Sequence, residues 1–337
     1  MLNFDTDRFL RIQSGAIALA DGLHDEIVGC LRRGARNLFF VGSGGAGILM
    51  LPAARLLQTH STFPVHVEAP AGLVAAGSAH LGPQSVVVIP SLSGTTAESV
   101  EALEYCKDRG ATVITLTGYA DSPLAERADS SFVNFAEDDT SCESFYLQSL
   151  ILALALMQER GEIADYAEVV AELRLLPQSL VEVKAAFEER AERFAEQIAH
   201  EPYHIITGAG STWAEAFYYG MCILEEMQWI RMRPVHAADF FHGTLELVDK
   251  DVSVITFKGE DESRALVERI EAFVPRYTDK LSVFDTAEFA LPSISERTRA
   301  LISPVLLATV LERVSAHLEV KRDHPLTTRR YYKNVSY

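Results

Sequence analysis

Short apolar runs rich in β-branched residues alternate with helix-patterned stretches, and this alternation confines the chain to a narrow class of folds. Asn37-Leu-Phe-Phe-Val41 leads into the glycine loop Gly42-Ser-Gly-Gly-Ala-Gly47 and a helical pattern through Leu57. Phe63 to Val67 reads as the next strand. Ser85-Val-Val-Val-Ile89 precedes Pro90-Ser-Leu-Ser-Gly-Thr-Thr96 and a helix near Ala97 to Asp108, and Ala111-Thr-Val-Ile-Thr-Leu116 and Ser131-Phe-Val-Asn134 complete the set. Strands this apolar are buried on both faces, as in parallel sheets covered by crossover helices.

The scheme then recurs. Residues from about 160 to 200 are rich in Glu, Ala, Leu and Arg, and Pro177 alone interrupts them; this predicts two helices bridging the halves. Beyond them, Tyr203-His-Ile-Ile-Thr207 enters Gly208-Ala-Gly-Ser211 and a helix through about Gln228. Val252 to Phe257 enters a charged loop and a helix from about Ser263 to Phe273, and Leu281 to Phe284 is a further strand. Two strand–glycine-loop–helix units, near 39–57 and 203–228, suggest one duplicated α/β unit. The expected organisation is an N-terminal domain over 1–160, linking helices over 161–200 and a C-terminal domain over 201–337.

Charge narrows the ligand. Asp plus Glu is 47 against 30 Lys plus Arg, a formal charge of −17, with no local basic groove to offset it. Such a surface repels a phosphate backbone, so a nucleic-acid partner is not expected. A small anion remains possible, because local dipoles dominate at short range. The four cysteines, Cys30, Cys106, Cys142 and Cys222, form no Cys-x-x-Cys pair and have no His at metal-ligand spacing, which predicts buried reduced thiols in a cytoplasmic protein. Met1 to Asp7 holds two Asp with no apolar run behind it, so no signal peptide is expected. The apolar run Leu150 to Met157 is far short of a bilayer span and reads as a core helix.

Two clusters carry chemistry. Ser91, Ser93 and Thr96 stand beside Gly94 at a strand-to-helix turn, where free N–H groups and the helix dipole favour a phosphate. One hydroxyl there would be an ordinary helix cap; three within six residues favour an anion site. The first glycine loop sets Gly42, Gly44 and Gly47 at Gly-x-Gly-x-x-Gly spacing, but the acid that would hold a ribose, Glu68, is followed directly by Ala69-Pro70, and no Gly-Lys-Ser/Thr occurs, so neither a dinucleotide nor a nucleoside triphosphate is expected. The second half's counterpart, Phe257-Lys-Gly-Glu-Asp-Glu-Ser263, carries three carboxylates that would repel phosphate. The other cluster is Glu226 and His242, a carboxylate and an imidazole sixteen positions apart. These side chains are suited to proton transfer near neutral pH. Met227, Trp229 and Ile230 predict an apolar, desolvated setting for Glu226. Finally, His324-Pro-Leu-Thr-Thr-Arg-Arg-Tyr-Tyr-Lys-Asn-Val-Ser-Tyr337 is basic and aromatic in an acidic protein, and Arg329 or Arg330 could clamp a carboxylate.

The motif Ser91-x-Ser93-Gly94-x-Thr96, the Glu226/His242 spacing, and the stretches Glu226-Met-Gln-Trp-Ile230, Phe240-Phe-His-Gly243 and His324-Pro-Leu-Thr-Thr-Arg-Arg-Tyr331 resemble the double sugar-isomerase (SIS) domain family. Within it they are most similar to the fructosamine-6-phosphate deglycases. That resemblance implies an α/β fold of two tandem SIS domains, each a doubly wound, flavodoxin-like parallel sheet flanked by helices. It implies phosphate binding by Gly44, Gly45, Ser91, Ser93 and Thr96, with Glu226 as base and His242 as acid. It also places Glu143, in Ser141-Cys-Glu-Ser144, near the sugar, and Arg329 or Arg330 near an amino acid carboxylate. Neither metal nor organic cofactor is implied, and the expected partners are a phosphorylated sugar–amino acid conjugate and a second subunit sharing the site. The sequence departs from the pattern at Ala46, where many relatives have Ser, at Ala238-Asp239 and at Thr244. An aldose–ketose or glucosamine-6-phosphate-type isomerase, and a non-catalytic sugar-phosphate sensor, are the competing expectations.

Overall fold

The computed structural model describes residues 1–137, 142–332 and 334–335. The chain divides into two compact units, Thr6–Pro177 and Gln178–Tyr337, and the second also takes in Met1–Asp5. The N-terminal residues join it through polar contacts: Arg313 donates from both Nη atoms to the Leu2 carbonyl at 2.9 and 3.0 Å, and the Leu2 N–H donates to Glu188 at 2.7 Å.

The first unit holds a five-stranded parallel sheet made of β1 (Asn37–Val41), β2 (Val65–Glu68), β3 (Ser85–Ser91), β4 (Thr112–Thr117) and β5 (Ser130–Val133), in the order β2-β1-β3-β4-β5. This is the flavodoxin-like winding, which reverses direction between β1 and β3. Strand β3 is buried at all seven positions, as its unbroken apolar run requires. It runs two residues beyond the expected Ile89, through Pro90 to Ser91. Pro90 is tolerated because the pairing of β3 with β1 ends at Val88, so the missing N–H has no ladder partner on that side. Phe39, Val41, Val87, Ile89, Leu103, Val113 and Leu124 form its core.

The second unit repeats the plan with one strand fewer. Strands β6 (His204–Gly208), β7 (Met232–His236), β8 (Ser253–Lys258) and β9 (Leu281–Asp285) pair in parallel in the order β7-β6-β8-β9. The first four strands of each sheet thus share one winding, which supports the duplication read from the glycine loops. Strand β7 was not expected. Pro234, with Arg231 and Arg233 before it, hides its pattern, and proline is admissible because β7 lies at the sheet edge. Its core includes Ile205, Phe240, Val254, Val267 and Ile270.

One expectation needs correction. The stretch from 160 to 200 is not two helices but one 33-residue helix, Tyr166–Ile198, with Pro177 inside it. Buried residues recur on both sides of the proline (Val169, Val170, Leu173, Leu176, Leu180, Val183, Phe187), and their burial outweighs the roughly 3 kcal/mol that an interior proline costs. Helix Glu296–Lys321 is long and apolar enough to cross a membrane, but 89% of that stretch is buried inside the fold, as in a core helix.

Candidate active site

Ligands of doubly wound sheets bind where the strand order reverses, beyond the carboxyl ends of the strands. In the first unit that point lies between the loops that follow β1 and β3. Ser91 ends β3 and is buried, and Thr96 takes the N-cap position of helix Ala97–Lys107. The Thr96 hydroxyl makes no capping bond; instead it meets Ser91 Oγ at 3.3 Å. The ordinary cap reading of Thr96 is therefore excluded, and the orphan N–H groups of the helix's first turn receive no side-chain cap from it. Ser91 Oγ also accepts the Gly94 N–H at 3.2 Å. Gly94 sits at φ +63°, and a Cβ there would lie 2.1 Å from Ser122 Oγ, so the turn needs glycine for both conformation and space. The third expected hydroxyl is committed locally: Ser93 Oγ accepts from the Thr95 N–H at 3.3 Å and pairs with its hydroxyl at 3.0 Å. Gly44 and Gly45 open the short helix Gly44–Ile48 after β1, and the preceding Ser43 donates to Glu98 at 3.3 Å, which brings the two loops together.

At the matching place in the second unit, the loops after β6 and β8 are closed by a carboxylate of the chain itself. Asp261 accepts from the Ser211 N–H at 2.9 Å, the Ser211 hydroxyl at 2.7 Å and the Ser263 N–H at 2.9 Å. Gly210, at φ +56°, lets the backbone approach; a Cβ there would lie 2.6 Å from both Asp261 oxygens. Glu260 is engaged by Arg299 through Nε and Nη2 at 2.8 and 2.9 Å.

Glu226 belongs to this second unit. It falls in the last turn of a nine-residue π-helix, Tyr219–Met227, that continues helix Thr212–Tyr218. Such widened turns are rare and concentrate at functional sites. The helix ends on Trp229 at φ +54°, a left-handed conformation that costs a bulky residue roughly 1–2 kcal/mol. The Ile230 N–H closes the end by bonding back to Leu224 O at 2.8 Å.

The C-terminal tail holds this strained end in place. Gln228 donates to His324 O at 2.7 Å, and Arg322 donates to Gln228 O at 3.2 Å. The His324 ring meets Trp229 edge-on at 4.4 Å, and the Arg330 guanidinium lies 3.8 Å from the Trp229 ring centre. Arg329 Nε donates to Glu226 Oε1 at 2.9 Å, while its Nη1 donates to Leu326 O and Thr328 O. The expected apolar envelope around Glu226 is not found. Met227 and Ile230 turn into the core, whereas the Glu226 side chain is 36% exposed and faces a guanidinium. Met227, adjacent in sequence, lies off the face of Glu226, Trp229 and Ile230 fall beyond the helix end, and the partner comes from 103 residues away.

His242 closes a 3-10 turn, Phe240–His242, whose Phe240 is fully buried against Phe241 and Phe273. The imidazole itself is exposed, so it is not a core histidine satisfied by a backbone carbonyl. Glu143 opens helix Glu143–Glu159 in the first unit with its side chain buried; Ser141 lies outside the described residues. Sequence reasoning missed the ion pair at Glu226, the stacking of Arg330 on Trp229 and the role of Asp261. The first two had only the basic tail as a signal, and the third had the carboxylate-rich loop.

Two flavodoxin-like sheets, with a hydroxyl-lined turn at the switch point of one and a carboxylate at a widened helix end in the other, are features of an enzyme of the phosphosugar isomerase type. The SIS domain family model matches residues 33–158. Fructosamine deglycase FrlB of Bacillus subtilis is 30% identical over 308 residues, covering 89% of this chain and 92% of that protein. Fructoselysine 6-phosphate deglycase of Escherichia coli is 26% identical over 322 residues, covering 96% and 92%. A solved structure from Salmonella typhimurium LT2, described as a phosphosugar isomerase, matches with a TM-score of 0.88 at 28% identity over 96% of this chain and 97% of that one. The chain belongs to the SIS domain family, as the resemblance of its motifs implied.

Proposed function

We propose that the chain is a deglycase that converts a 6-phosphorylated fructose–amino acid conjugate into glucose 6-phosphate and the free amino acid. One observation carries this reading beyond a plain phosphosugar isomerase: Arg329 pairs with the proposed base, and its neighbour Arg330 stacks on Trp229, three residues from that base in sequence. An aldose or ketose phosphate carries one anionic group, which the turn at Ser91, Ser93, Thr96, Gly44 and Gly45 would hold. A sugar phosphate bearing an amino acid carries a second, and a guanidinium reads a carboxylate well. Arg330 suits that task, because its guanidinium rests on Trp229 and the residue is exposed.

In the proposed sequence, His242 assists ring opening of the sugar as general acid. Its exposure suits service to a second subunit, so the working form is at least a dimer. Glu226 removes a C1 proton to give an enaminol and returns it at C2, leaving a C1 aldimine. Water adds to the aldimine and expels the amino acid. Glu143 lies near the sugar in this reading. The ketone and imine supply the electron sinks, so the steps need neither metal nor organic cofactor. A cytoplasmic location fits the four buried cysteines; burial pushes the Cys30 thiol up to about 12 and the Cys106 thiol up to about 11, which leaves those two unreactive.

The test is incubation with a panel of phosphorylated fructose–amino acid conjugates, with released glucose 6-phosphate as the signal. Glu226→Gln keeps the shape of the side chain and should lower kcat by roughly 100- to 10,000-fold. No release from any conjugate, or near wild-type turnover by Glu226→Gln, would overturn the proposal.

A further inference from the structure

Arg329 is the least exposed cation of the tail's Arg329-Arg330 pair, and its donors are divided. Nε holds Glu226 Oε1, and Nη1 is spent on two tail carbonyls, Leu326 O and Thr328 O. The guanidinium is therefore fixed by its own segment before it meets the carboxylate. That segment is anchored in turn: the Leu326 N–H donates to Glu319 at 3.0 Å, and Asn334 donates to Arg329 O at 2.9 Å. Its stem is tied to the helix end through the Gln228, Arg322 and His324 contacts. The Glu226 side chain stands at a helix end and is more than one-third exposed, so a cation that is itself held limits the directions its carboxylate can take. A displacement of about 1 Å from the productive geometry costs on the order of 100-fold in rate.

We infer that Arg329 is a positioning residue that fixes the direction of the Glu226 carboxylate, while its neighbour Arg330 is left for the substrate. The inference rests on the proposed role of Glu226 as base. Neighbouring arginines thus divide two tasks: one acts through Glu226 and sets kcat, and the other meets the amino acid carboxylate and sets KM. The tail is then part of the catalytic apparatus even though Arg329 touches no reacting atom.

The measurement compares Arg329→Gln, Arg329→Lys and Arg330→Gln on whichever phosphosugar substrate Glu226→Gln fails to turn over. Arg329→Gln is expected to lose about 100-fold in kcat with KM nearly unchanged. Arg329→Lys should recover part of that loss, and millimolar guanidinium ion should restore rate to Arg329→Gln but not to Glu226→Gln. Arg330→Gln should raise KM and leave kcat within a few-fold. An Arg329→Gln enzyme with unchanged kcat, or with its loss confined to KM, overturns the inference and leaves the deglycase reading intact. Should no substrate be found, the pair is read by amide exchange over 322–332. Loss of protection in Arg329→Gln and Glu226→Gln should be alike and no greater in the double variant, whereas additive losses overturn the inference.

Discussion

The two sheets share one winding, yet the loops at their switch points have opposite contents. In the first unit, Ser91 and Thr96 face each other across a turn whose helix lacks a side-chain cap. In the second, Asp261 brings a carboxylate to Ser211 and Ser263, so donors of the same kind are already satisfied. The same backbone plan thus leaves a hydroxyl-lined turn, the proposed anion cradle, in one loop and a joint closed by the chain's own acid in the other. In the proposed reading, fold alone does not determine which half takes the phosphate; a few loop residues do.

The contrast can be attacked from either side. The harshest test puts an acid into the first loop. Thr96→Asp should raise KM for a phosphorylated substrate at least about 100-fold through like-charge repulsion, with the melting temperature little changed; steady-state kinetics and calorimetry with inorganic phosphate would read it. Next come the two left-handed glycines. Gly94→Ala and Gly210→Ala should each cost about 2–3 kcal/mol in denaturant unfolding, but only Gly94→Ala should also weaken phosphate binding.

Acidification separates the units by a different group. His204, at the start of β6, is buried, and burial lowers it from 6.5 to about 4. The unfolded chain then binds a proton that the folded chain refuses between those values. The stability that His204 contributes is full above about 6.5 and declines as pH falls toward 4, by roughly 2 kcal/mol at pH 5. Amide protection in His204–Gly208 should fall with pH before that in Asn37–Val41, and His204→Leu should flatten the trend. The mildest change is Asp261→Asn, which should cost about 1 kcal/mol of stability and leave kcat unaltered. A large loss of turnover would mean that the second loop is more than a joint.

The alternation of apolar runs with glycine loops made both sheets legible, because buried parallel strands leave a local signature. Ser91, Thr96 and Gly94 were legible for the same reason: a strand, a turn and a helix start are contiguous in sequence. What escaped was non-local or depended on balance. No local pattern marks the π-helix at Tyr219–Met227, and its closure involves a tryptophan in a conformation usually left to glycine. Pro177 looked like a helix break because its cost is local while the burial that outweighs it is spread over many turns. The surroundings of Glu226 were misjudged because its partner lies in the tail, and because the helix ends at Met227, so Trp229 and Ile230 do not continue its face.

Trp229 has one more consequence. The chain has only two tryptophans, and this one lies between an imidazole and a guanidinium that both belong to the tail. Its fluorescence is therefore coupled to whether those last residues are seated. With Trp213→Phe removing the other emitter, the protein would carry an intrinsic optical gauge, able to follow seating and release of its own terminus in real time without any attached dye.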